Sequence, residues 1–232
     1  PTGATCTVTE GATSVTGQPQ PSASVGSVGI GDGTTAALTL DNAFAAGKLV
    51  IHKDITGAGA TTWGTGPFTF DLSCTLAGHG TVFSRTGLTL TPTAGQTSLS
   101  SAELGPIPFD SVCTVTETDS AGATSASAPV ELTISANPDT SDVSTATFTN
   151  QFDYAGFTVT KAVTSTARDA AGALITYKAA AFTASCTFKG AEILTNASDV
   201  SFTLSDGGSK TFTNLPTGAV STVTETNARS AT

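Results

Sequence analysis

Lys53, Glu117 and Asn150 are the residues of this chain whose types and positions could do covalent chemistry. Each is in phase with apolar neighbours: Lys53 with Leu49 and Ile51, Glu117 with Cys113 and Val115, Asn150 with Ala146 and Phe148. Residues two apart in a strand share a face, so alternation aims all three at a core, where an unpaired amine or carboxylate is strongly disfavoured. A neutral amine can attack a side-chain amide with help from a protonated carboxylic acid and leave an isopeptide crosslink. Burial lowers the pKa of a Lys and raises that of a carboxylic acid, so one apolar pocket produces both protonation states. Two plainer readings stay open. Lys53 can snorkel at its strand end while Asn150 caps the turn before Gln151, or a buried Lys–Glu ion pair can take Asn150 as a hydrogen-bond partner.

These side chains need strands to carry them. Alternation and turn residues predict strands near 47–53, 67–76, 80–91, 111–118, 128–135 and 143–150, with Phe68-Thr-Phe70-Asp-Leu72-Ser-Cys74 as the cleanest run. Only 12% of residues are charged and 38% are hydrophobic, and Thr, Ser, Ala, Gly and Val fill most of the remainder, which favours strands over helices. The fold class is all-β: an antiparallel, immunoglobulin-like sandwich with Greek-key connections. No stretch has a clear 3.6-residue period, although residues 170–184 are rich enough in Ala to hold a short helix.

Self-similarity organises the chain. Asn42-Ala-Phe before Gly47-Lys-Leu-Val-Ile-His-Lys53 matches Asn150-Gln-Phe before Gly156-Phe-Thr-Val-Thr-Lys161, and both the Asn and the Lys recur after 108 positions. Cys6-Thr-Val-Thr-Glu10 returns as Cys113-Thr-Val-Thr-Glu117 and again as Ser221-Thr-Val-Thr-Glu225, at spacings of 107 and 108. The expectation is tandem domains of about 108 residues, a size usual for a β-sandwich. Residues 1–44 are then the back of one repeat, 45–152 a complete repeat, and 153–232 the front of a third.

The three segments Gly47–Lys53, Cys113-Thr-Val-Thr-Glu117-Thr and Thr147-Phe-Thr-Asn150 resemble the repeats of Gram-positive surface proteins, in particular an actinobacterial repeat family similar to the collagen-adhesin B-type (CnaB-like) domains. The resemblance implies that a first-strand Lys bonds a last-strand Asn under promotion by a Glu, roles that fall on Lys53, Asn150 and Glu117. Glu10 and Glu225 are the equivalents of Glu117 in the partial repeats. Lys161 and Asn42 are the equivalents of the bonding pair, with partners beyond this stretch of chain or in another chain. The Cys pair is not part of the general B-type pattern.

Cys74 and Cys113 lie in inward phase on separate strands, so a disulfide is expected there, against the alternative of two buried thiols. Closing a loop of about 40 residues would stabilise the fold by about 3–4 kcal/mol in the chain-entropy description. Cys186 aligns with Cys74, but Ser221 stands where its partner should be. Cys186 is therefore free or paired elsewhere, for example with an equivalent of Cys6 in a neighbour.

Other signals are weak. His52 and His79 are 27 positions apart with no cluster of ligands, so no metal and no cofactor are expected. Asp139 and Asp142 could touch calcium but lack an EF-hand pattern. Asn196-Ala-Ser198 fits a glycosylation sequon, which means little if the source is bacterial. Trp63 reads either as an exposed sugar-stacking residue or as a lid on the edge of a core. A net charge of −9 with nine scattered Lys and Arg argues against nucleic acid and anionic membrane surfaces, and no apolar run is long enough to span a bilayer. The chain opens on Pro1 and has no Met, which suggests an internal piece of a longer exported product.

No nucleophile elbow, phosphate loop or supported acid pair occurs, so no enzyme is expected. The leading expectation is a structural stalk or adhesin segment of an extracellular, surface-anchored or fibrous protein. Its partners are neighbouring repeats, other copies of the chain and, at a distal tip, a host or surface ligand. The runner-up is a filament subunit in which partial domains complete one another head to tail. Against it, the Pro-Thr-Gly-Ala…Thr-Val-Thr-Glu segment stands at both 1–10 and 216–225, and two copies of one strand cannot fill one slot. A third reading, a carbohydrate- or protein-binding module, would need an exposed aromatic cluster, for which Trp63, Tyr154 and Tyr177 are the main candidates.

Overall fold

The computed structural model describes residues 3–9, 25–40, 46–135 and 143–227. Strands dominate it, and they fall into three groups along the chain. The first group is a hairpin of β1 (Thr5–Thr9) and β2 (Val25–Gly29), paired with Cys6 opposite Val28.

The central unit begins with β3 (Ala46–Thr56), in which Leu49, Ile51, Lys53 and Ile55 are buried and the residues between them are not. A one-turn helix, α1 (Ala60–Trp63), leads to β4 (Phe68–Leu76) and β5 (Gly80–Leu90). Gly57 precedes that turn at φ 93°, and a side chain there would collide with the Phe152 carbonyl. Then come β6 (Ser98–Ser100), β7 (Leu104–Pro108), β8 (Val112–Asp119), β9 (Ser125–Ala126), β10 (Val130–Thr133) and β11 (Val143–Gln151).

One sheet has the order β10-β8-β4-β5. The other runs β6-β3-β11-β9, with β7 also on β3. Leu49, Ile51, Ala146 and Phe148 of the second sheet share one core with Phe68, Phe70, Leu72, Cys113 and Val115 of the first, which makes the unit a sandwich. Its pairings are antiparallel with one exception: β3 and β11 lie side by side and parallel, Lys53 opposite Phe148 and Asn150 opposite Ile55.

The last unit contains β12 (Tyr154–Thr160), β13 (Ala180–Phe188), β14 (Ala191–Glu192), α2 (Ala197–Val200), β15 (Ser201–Leu204), β16 (Ser209–Pro216) and β17 (Val220–Asn227). β13 pairs with β14, β15 and β17, and β12 pairs with β16. Phe157 and Phe212 stack as cross-strand partners within the β12–β16 sheet, centroids 4.6 Å apart, and Phe212 meets Phe202 of the other sheet edge-on at 5.8 Å.

The helix expected within 170–184 is not there. Ala180, Phe182, Ala184 and Cys186 are buried while Thr183 and Ser185 are exposed, a period of two that belongs to β13. The Ala residues serve as small inward side chains of a strand, and the apolar pattern outweighs their helical propensity.

Candidate functional site

Alternation along three strands brings Lys53, Glu117 and Asn150 to one place. β3 and β11 are neighbours in one sheet and present Lys53 and Asn150 inward, while β8 presents Glu117 from the facing sheet. Lys53 pairs across to Phe148, so Asn150 is the next inward residue of β11, and the Lys stem is long enough to cover that step.

Lys53 and Asn150 are 0% exposed, and the Glu117 side chain is 2% exposed. Lys53 Nζ lies 3.0 Å from Glu117 Oε1. Asn150 Nδ2–H donates to the same oxygen at 2.9 Å, and also to the Ser120 carbonyl at 3.2 Å. The two nitrogens therefore meet at one carboxylate oxygen. The Phe68 ring stands 4.9 Å from Lys53 Nζ and walls off the amine.

Burial lowers the pKa of the Lys53 ammonium from its ordinary value. Contact with Glu117 and the charge of Asp54 oppose that shift without cancelling it. The ion contact at 3.0 Å is not an aligned hydrogen bond, because Lys53 Nζ has no partner of hydrogen-bonding geometry. Among the described residues four buried side-chain polar atoms lack such a partner, and three of them are here: Lys53 Nζ, Glu117 Oε2 and Asn150 Oδ1. Native interiors hold few such atoms, so three in one pocket call for a chemical explanation.

Cys74 and Cys113 sit directly opposite each other on β4 and β8 and form a disulfide. In the last unit Cys186 is buried and free, and Ser221, its cross-strand partner, donates its hydroxyl to Cys186 Sγ at 2.8 Å. Cys6 is free and exposed. Lys161 Nζ contacts both oxygens of Glu225 at 3.0 Å, with side chains 20% and 30% exposed. Glu10, Asn42, Asp139 and Asp142 lie outside the described residues.

The remaining sequence candidates are dispersed. His52 bonds Ser100 and Asp54 on the surface, and His79 occupies the turn between β4 and β5. Asn196 precedes α2 and donates to Asp199. Among the described residues no group of three His, Cys, Asp or Glu could hold a metal ion, and no helix is long and apolar enough to cross a membrane. Trp63 faces Phe188 of the last unit edge-on at 5.8 Å. Tyr154 and Tyr177 hydroxyls are engaged with Thr62 and Ser165, apart from Trp63's ring contact.

Sequence reading missed the Ser120 carbonyl and the Phe68 wall. Phe68 carried a signal as an inward residue of β4. The carbonyl had only the Asp119-Ser-Ala-Gly122 turn to announce it, in which Ala121 takes a φ of 57° and its N–H bonds Asp119.

A model of the family described as "Domain of unknown function (DUF5979)" matches residues 49–153 and 157–232. No curated protein matches the chain. Among solved structures, the chain is similar to the Bacillus anthracis TIE protein at 19% identity and a TM-score of 0.44, over 90% of this chain and 34% of that one. It is also similar to the shaft pilin SpaA from Lactobacillus rhamnosus GG, at 16% identity and a TM-score of 0.34, over 78% of this chain and 88% of that one. A third is the major pilin subunit of Bacillus cereus, at 15% identity and a TM-score of 0.24, over 72% and 53%. The chain spans about a third of the length of the first of these.

Proposed function

The chain belongs to the DUF5979 family, and from its buried site we propose that it is a load-bearing stalk segment of an extracellular bacterial surface protein, stapled by a Lys53–Asn150 isopeptide bond. The observation that carries this reading is the shared contact of both nitrogens with Glu117 Oε1 in a pocket closed to water.

One oxygen touching both nitrogens is placed to move a proton between them. Glu117 accepts a proton from Lys53, which leaves a neutral amine whose pKa burial already favours. Lys53 Nζ attacks Asn150 Cγ, and the new C–N bond forms as the old one breaks. Glu117 passes the proton on to the departing nitrogen, which leaves as ammonia, and takes up the second proton that Lys53 Nζ sheds on becoming an amide nitrogen. The reaction turns over once per molecule and leaves Lys53 Nζ as an amide nitrogen in place of a buried, unpaired amine.

The mechanical consequence follows from topology. β3 and β11 are parallel neighbours paired over nine residues, so tension applied at Ala46 and Gln151 shears that ladder. A bond from Asn150 to Lys53 carries the load down β3 and bypasses everything between the two residues.

Intact-mass measurement under reducing conditions tests the proposal. Loss of one ammonia is expected in the parent chain and in neither Lys53→Ala nor Glu117→Ala. A folded parent chain of unmodified mass overturns the crosslink, and a retained loss in either variant assigns it to other residues.

A second reading, a filament subunit completed by another copy, draws on β12, which pairs only with β16 among the described residues and leaves its other edge open. Sedimentation at rising concentration distinguishes it: head-to-tail species support the filament, and a concentration-independent monomer removes it.

A further inference from the structure

Phe152 and Asp153 are the whole connection between β11 and β12, and both are held. Phe152 is 2% exposed, its N–H donates to the Thr56 carbonyl and its carbonyl accepts from Gly59 N–H, each at 2.8 Å. Asp153 N–H donates to Thr124 Oγ1 of the central unit at 3.0 Å. The Asp153 carbonyl accepts from Thr217 of the last unit, through N–H at 3.1 Å and Oγ1–H at 3.2 Å. A two-residue tether bonded to both sides has little freedom to swing.

Further contacts lie away from the tether. Trp63 of α1 meets Phe188 edge-on at an interplanar angle of 72°, and its indole N–H donates to the Asn214 carbonyl at 3.3 Å. Asn214 adopts a φ of 58°, a left-handed conformation that Asn accepts more readily than most residues. Lys189 Nζ donates to the Gly66 carbonyl at 3.3 Å, and the Thr62 and Tyr154 hydroxyls share a hydrogen bond at 3.2 Å. Gly122 of the central unit also lies close to Phe188: a Cβ there would stand 2.8 Å from the ring's Cζ. Phe188 thus touches the central unit at both Trp63 and Gly122.

We propose that Trp63, Gly122 and Phe188 form a fixed joint that locks the central and last units in one mutual orientation. The surface that one unit offers is its α1 turn, and the surface that it receives is the Phe188–Gly190 corner and Asn214 of the next unit. Units linked by a free tether move relative to each other by default. Contacts spread around a short tether restrain both bend and twist, so the joint sets stiffness. This role is separate from the proposed crosslink, which governs resistance to extension, and it uses different residues.

Residual dipolar couplings on the full chain test it. In the parent protein both units fit one alignment tensor; in Trp63→Ala and in Phe188→Ala, each checked for dispersed amide signals from both units, they require two. Two tensors in the parent chain overturn the joint, as does one common tensor in a folded Trp63→Ala variant. Trp63 is the single Trp of the sequence, so its emission reads the joint directly. Phe188→Ala is expected to shift that emission to the red, and an unchanged maximum overturns the ring contact. Intact mass of the same variants reports the crosslink independently, which separates failure of one idea from failure of the other.

Discussion

Lys53 and Glu117 in the central unit, and Lys161 and Glu225 in the last, hold nitrogen and oxygen at the same 3.0 Å, yet the first pair is 0% and 2% exposed and the second 20% and 30%. The neighbours differ. β3 has β11 beside it, carrying Phe148 and Asn150 inward, whereas β12 pairs only with β16 among the described residues. Closure by the last strand converts a surface ion pair into a buried amine beside an amide. The cysteine position repeats the contrast: Cys113 bridges to Cys74, and Ser221 only hydrogen-bonds Cys186.

The sharpest way to break this comparison is to remove each Glu. Glu117→Ala strands a buried amine and is expected to cost about 3–5 kcal/mol, the usual penalty for breaking a buried pair. Glu225→Ala removes a partly solvated contact and should cost no more than about 1 kcal/mol. Denaturant unfolding followed by a probe in each unit measures both, and equal losses would mean that burial does not separate the two pairs.

Exchanging the sulfur chemistry comes next. Cys74→Ser with Cys113→Ser should destabilise the central unit by about 3–4 kcal/mol, while Ser221→Cys should close a new bridge to Cys186 and stabilise the last unit by about 3 kcal/mol. Melting with and without reductant, together with thiol counting, checks this. A Ser221→Cys protein that keeps all of its thiols contradicts the cross-strand placement.

The pH dependence is smaller and isolates Lys53. Asn150→Ala cannot form the proposed bond, so the amine persists. Its folded pKa lies below the ordinary 10.5, because burial penalises the ammonium more than Glu117 supports it. Between the depressed pKa and 10.5 the unfolded chain binds more protons than the folded one, so stability rises with pH across that window. Below the depressed pKa both states are charged and this contribution is lost. Thermal melts of Asn150→Ala should show the rise, and adding Lys53→Met should flatten it. The smallest effect is kinetic: Cys6 should alkylate in the native protein, and Cys186 only on unfolding, as their exposed and buried positions require.

Much of the central unit was legible beforehand. The six expected strands correspond to β3, β4, β5, β8, β10 and β11; burial alternates cleanly in β3, β4 and β11, whereas β5 does not alternate and is marked out by the turn residues that flank it. β6 and β9 are too short for a period to register, and Pro106 and Pro108 disguise β7. The inward phase of Lys53, Glu117 and Asn150 was also visible, while the acceptor at Ser120 was hidden because any residue has a carbonyl. Trp63 was narrowed to a lid or a sugar platform. Its contact with Phe188 joins residues 125 positions apart and has no local signature.

Facing and spacing are legible in the residue pattern, so the primary structure alone established the inward phase of the site's side chains and the spacing near 108, and it made a Cys74–Cys113 bridge an expectation. Packing between distant segments determined the rest: the parallel placement of β11 on β3, the exclusion of water from one Lys–Glu pair and not the other, and the contacts of Phe188 with Trp63 and Gly122. Alternation says which face a residue joins, but only the neighbouring strand or unit determines whether that face is covered.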